Sequence, residues 1–63
     1  MYVIKFDDNS YYTGYAGTHN QLRKAMVYVS IKKCMEAGQT ACKKLNKNSF
    51  KIIQIEMREI GEV

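Results

Sequence analysis

"SIKKCMEAGQTACKKLN", residues 30–46, is the stretch that decides the fold. Apolar or small residues recur at Ile31, Cys34, Met35, Gly38, Ala41, Cys42 and Leu45, the i, i+3, i+4, i+7 spacing of one helical face. Turning the chain by roughly 100° per residue puts Lys32, Lys33, Lys43, Lys44 and Lys47 on the opposite face. Ser30 suits the N-cap, because its hydroxyl can accept a bond from an early helical N–H. The reciprocal capping box is missing, since Lys33 stands where Glu or Gln would be. Asn46 or Asn48 suits a left-handed C-cap. Gly38 costs about 1 kcal/mol relative to alanine in a helix interior. Close approach to a sheet on that face is the simplest reason to carry it. The spacing predicts one helix from Ile31 to about Leu45.

Outward from the helix the period changes. "MYVIKF" (1–6) is β-branched and aromatic, with Tyr2, Ile4 and Phe6 on one face and Met1, Val3 and Lys5 on the other. "DDNS" (7–10) is a turn sequence, and Asn9 tolerates the left-handed conformation that a tight hairpin needs. "YYTGYAG" (11–17) reads as the partner strand. The polar "THNQLRK" (18–24) reads as a connecting loop, and "AMVYVS" (25–30) as a third strand. After the helix, "FKIIQIEMREI" (50–60) reads as the last strand, with Ile53, Ile55 and Met57 on one face and Gln54, Glu56 and Arg58 on the other. The order β-β-β-α-β describes a single two-layer α+β domain over 1–63, one helix laid on an antiparallel sheet of three to four strands.

Size and composition narrow the function classes. A chain of 63 residues buries too little apolar surface to be very stable, and small domains often add disulfides, a metal or a partner subunit. Cys34 and Cys42 lie about 12 Å apart along a helix, beyond the roughly 7 Å a disulfide allows. They are read as small buried hydrophobes in a reducing compartment, and no metal-ligand pattern is present. Self-association is then the expected supplement, most simply a homodimer. No apolar run approaches the roughly 18 residues of a membrane span, so no membrane partner and a cytoplasmic location are expected. The net charge of +4 favours polyanions without specifying one.

Chemistry is absent from the sequence as far as motifs go. Asp7 and Asp8 are explained by the turn, and His19 stands alone in a loop. No phosphate loop or nucleophile elbow occurs. The chain is read as a non-enzyme without catalytic residues, cofactor or metal. Two surfaces are left to consider. The helix covers one sheet face, so neighbouring Tyr11 and Tyr12 must point to opposite sides. Tyr11, Tyr12, Tyr15 and Tyr28 are the candidate partner-binding residues, with core or dimer packing the plainer role of each and base stacking the more specialised one. The second surface is Lys32, Lys33, Lys43, Lys44 and Lys47, a possible phosphate-binding face whose plainer reading is a solvated helix side.

Taken together, "MYVIKFDDNSYYTGYAG" (1–17), "RKAMVYVSIKKCMEAGQTACKKL" (23–45) and "FKIIQIEM" (50–57) resemble small, mostly uncharacterised accessory proteins of phages and mobile elements of Gram-positive bacteria. That resemblance implies a binding protein acting in the host cell, one that blocks or redirects a host protein or ribonucleoprotein in host takeover or anti-defence. Inhibitors of CRISPR nucleases are prominent among such proteins. The basic charge departs from the acidic DNA mimics among them. The resemblance thus points to protein binding, with nucleic-acid binding through the lysine-rich helix face as the alternative.

Overall fold

The computed structural model describes residues 1–14 and 17–56. Strand β1 (Tyr2–Phe6) is followed by β2 (Tyr11–Gly14), β3 (Gly17–His19), a short 3-10 turn (Leu22–Lys24), the helix α1 (Ile31–Leu45) and β4 (Phe50–Gln54). All pairings are antiparallel, and the sheet order is β3-β2-β1-β4. The first three strands form a meander, and the helix carries the chain across so that β4 reaches the other side of β1. The fold is the small α+β domain that the element order implies, with β1 central.

The hairpin forms as its residue types require. Asn9 takes φ 67°, its N–H bonds the Phe6 carbonyl at 3.0 Å, and the Phe6 N–H bonds the Ser10 carbonyl at 2.8 Å. Asp8 accepts from the Ser10 backbone N–H at 3.1 Å and from the Ser10 hydroxyl. At the helix ends, Ser30 accepts from the Lys33 N–H at 3.4 Å, and Asn46 adopts the left-handed conformation at φ 55°. The Lys47 N–H then bonds back to the Cys42 carbonyl at 2.9 Å.

The core lies between α1 and strands β1 and β4. Ile4, Phe6, Cys34 and Ala41 are its buried centre, with Tyr2, Tyr12, Tyr28, Ala37, Cys42, Leu45, Phe50 and Ile52 packed around them. Gly38 sits where the layers come closest. A Cβ there would lie 2.3–2.7 Å from three ring atoms of Phe50, so glycine is demanded by the contact. Cys34 and Cys42 are free thiols on this side of the helix, and burial pushes both thiols above their ordinary range.

Two expectations need correction. The third strand is Gly17–His19, not 25–30. Gly14 and Gly17 pair directly, so the chain reverses between two glycines and fills the place beside β2 at once; short closures of this kind win over pairing with a more distant segment. Residues 25–28 instead enter the gap where β1 and β2 diverge. Met26 N–H bonds the Tyr12 carbonyl, and Tyr28 exchanges both backbone bonds with Tyr2, each at 2.8 Å. The second correction concerns the helical stripe: Ile31 and Met35 are 52% and 46% exposed, and the packed arc turns toward Ala37 instead. The sheet face away from the helix is partly covered within one chain, because Val3 is fully buried there. The last strand ends at Gln54 in its ladder, although Ile55 and Met1 still exchange backbone bonds. Met57 and Arg58 lie outside the described residues.

Candidate binding face

Strand alternation sorts the side chains into two sets. Tyr2, Ile4 and Phe6 pack toward the helix, so Val3 and Lys5 point to the other face. Residues directly opposite each other on neighbouring strands share a face. Lys5 is opposite Lys51 on β4 and opposite Tyr11 on β2. Tyr11 is in turn opposite His19 on β3. A single transverse row, Lys51–Lys5–Tyr11–His19, therefore crosses all four strands on the face away from the helix. With strands roughly 4.8 Å apart, the row is about 14 Å long.

The row has its own electrostatics. Lysines directly opposite each other repel and destabilise a sheet, yet Lys5 and Lys51 are so placed. Among the described residues neither ammonium has a carboxylate within ion-pair distance. Lys5 instead lies over the Tyr11 ring, its Nζ 5.5 Å from the centroid. His19 accepts the Gln21 backbone N–H on Nδ1 at 3.1 Å, which in the neutral ring leaves the proton on Nε2. Lys51 and His19 are exposed, and Lys5 and Tyr11 half-buried. A shallow pocket of about 180 Å³ adjoins the lysines, with Asp7, Asn9 and Ser49 among its lining.

The other tyrosines have different surroundings. Tyr12 meets Phe6 edge-to-face, with ring centroids 6.3 Å apart. Tyr28 packs on the same core, and burial, then the neighbouring Tyr12 and Cys34, push its hydroxyl above the ordinary range. Tyr15 lies outside the described residues. Of the four candidate partner-binding tyrosines, Tyr11 alone among those described stands on the face that the helix leaves open.

The helix lysines divide as well. Lys32, Lys33, Lys43 and Lys44 are exposed. Lys47 lies past the helix end, and its ammonium pairs with the Asp8 carboxylate at 2.5 Å. It also stands 5.7 Å from the centroid of the Phe6 ring, so it closes one end of the core. Lys47, Ser10's hydroxyl and Ser10's N–H together hold the Asp8 carboxyl well below the usual carboxylate range.

Lys5, Lys51 and His19 were not singled out as a group by the sequence. Alternation did place Lys5 opposite the Tyr2–Ile4–Phe6 set. Lys51 could join it only through the β1–β4 register, which depends on how the helix returns the chain. Among the described residues no group of three or more His, Cys, Asp or Glu side chains could hold a metal ion, and no helix is long and apolar enough to cross a membrane. The outer edge of β4 is a second open feature. Ser49 and Ile55 direct their backbone bonds to β1, so by alternation Phe50, Ile52 and Gln54 turn theirs to the edge. Comparison of the chain with protein-family models, curated proteins and solved structures finds no match.

Proposed function

We propose that this chain is a non-enzymatic binding module whose working surface is the sheet face away from the helix, centred on Tyr11 and Lys5. The observation that carries the reading is the placement of Tyr11: Tyr2, Tyr12 and Tyr28 pack on the core, while Tyr11 stands on the opposite side beside Lys5 and in line with Lys51, neither of which has an ion-pair partner among the described residues. A half-buried aromatic ring held against a cation is a common interface element, offering area at small entropic cost. The open edge of β4 is the less favourable surface, because a lysine on an edge strand discourages addition of a further strand. On this reading the partner is a host protein or ribonucleoprotein, in keeping with the phage-type resemblance, and the module blocks or modulates it by occupying its surface. The four exposed helix lysines serve solubility.

Photo-crosslinking in bacterial cells tests this. A photoreactive phenylalanine analogue replacing Tyr11 should trap a discrete partner, and the same analogue replacing Lys44 should not. Equal trapping from position 44, or trapping from position 44 alone, would overturn the assignment of the face.

A further inference from the structure

We infer that the Lys51–Lys5–Tyr11–His19 row is a single-stranded nucleic-acid strip, on which phosphates engage the two lysines and a base stacks against Tyr11. The inference deepens the binding-module reading and rests on it: it names the chemistry that the open face recognises. Two observations carry it, the second a consequence of the first. The first is the register that brings four polar or aromatic side chains from four strands into one line. The second is the like-charge pair inside that line. Lys5 and Lys51 stand directly opposite with no carboxylate in ion-pair distance among the described residues, an arrangement that costs the isolated fold stability. An anion seated between them removes the repulsion and converts it into affinity.

The edge-strand role of lysine explains only half of this pair. Lys51 lies on β4 at the border of the sheet, where lysine blunts strand addition. Lys5 lies on the central strand, where no such reason applies. Its ammonium lies over the Tyr11 ring, 5.5 Å from the centroid, a cation–π contact that favours keeping the charge on the row. The proton-bearing Nε2 of a neutral His19 adds a donor at the far end of the row, suited to a phosphate oxygen or a sugar hydroxyl. The geometry suits an extended strand better than a duplex. The row is a shallow line of about 14 Å, and splayed bases of a single strand stack on sheet aromatics. Asp7 lines the pocket beside the two lysines, but among the described residues it forms no ion pair with either.

The test is the salt dependence of binding to short mixed-sequence single-stranded DNA and RNA oligonucleotides, followed by fluorescence anisotropy of the full chain. Each phosphate contact contributes about 0.7 to the slope of log affinity against log salt for a single strand. Lys5→Gln and Lys51→Gln should each lower the slope by about that amount, and the double variant by about 1.4. Tyr11→Leu should weaken binding about 5- to 100-fold with the slope unchanged, and Tyr11→Phe should retain it. Lys43→Gln with Lys44→Gln should leave slope and affinity as in the unsubstituted chain. Circular dichroism of each variant separates loss of the face from loss of the fold. Absence of binding at low salt, or a slope that follows Lys43 and Lys44 instead of Lys5 and Lys51, overturns the inference. If no oligonucleotide binds while crosslinking from position 11 still traps a protein, the nucleic-acid assignment falls and the binding-module reading stands. Failure of both removes both.

Discussion

At the scale of single residues, the closest approach of the two layers is written in Gly38. The 2.3–2.7 Å separations between a Cβ at position 38 and the Phe50 ring leave no room for a methyl group. Gly38→Ala gains up to about 1 kcal/mol of helix propensity but overpacks the interface, and such overpacking typically costs 1–3 kcal/mol. The net expectation is a destabilised protein with a lower urea midpoint, partly restored by adding Phe50→Leu. A midpoint raised by Gly38→Ala would show that the layers are further apart. Cys34 supplies a second prediction. Its side chain is fully buried and its thiol is pushed up by that burial, so alkylation at neutral pH should be slow in the native protein and fast in urea. Equal rates in both conditions would contradict a packed Cys34.

At the scale of elements, the link between the β1–β2 turn and the end of the helix depends on Asp8 and Lys47. The Asp8 carboxyl is depressed below its unfolded value of about 3.9. The stability this contributes is therefore present above that pH and is lost as the pH falls through the lower, folded value. It is small, because the carboxylate is half exposed and the pair is screened. Asp8→Asn should lower the urea midpoint at neutral pH, and the difference from the unsubstituted chain should shrink below about pH 4. A difference that stays constant with pH would assign Asp8 to the turn alone. Which elements could be read from the sequence follows the same physics. The helix was legible end to end, because Ser30, the small-residue stripe and Asn46 all act within a few residues of chain. The first hairpin was legible for the same reason. The third strand was not: "AMVYVS" alternates like a strand, but alternation does not reveal that Gly14 and Gly17 pair and that Gly17–His19 takes the place beside β2. The transverse row was out of reach for a related reason, since Lys51 meets Lys5 only through a register set across the helical connection.

At the scale of the whole molecule, one side of the sheet makes the core and the other carries two lysines without an ion-pair partner among the described residues. The helix side satisfies its apolar residues within one small cluster. The far side buries Val3 but leaves Lys5, Lys51, Tyr11 and His19 in line across the sheet. A protein this size has little stability to spare, so relief of the Lys5–Lys51 repulsion should register as stabilisation. Single-stranded oligonucleotide should raise the melting temperature at low salt, with the shift fading as salt rises; no shift at concentrations that saturate binding would mean the anion does not reach the lysine pair. The most direct measurement is an amide chemical-shift titration of the isotope-labelled protein with single-stranded oligonucleotide. Perturbations should cluster at Lys5, Tyr11, His19 and Lys51, on four different strands, while Lys32, Lys33, Lys43 and Lys44 stay in place. Perturbations confined to those helix lysines would contradict that placement.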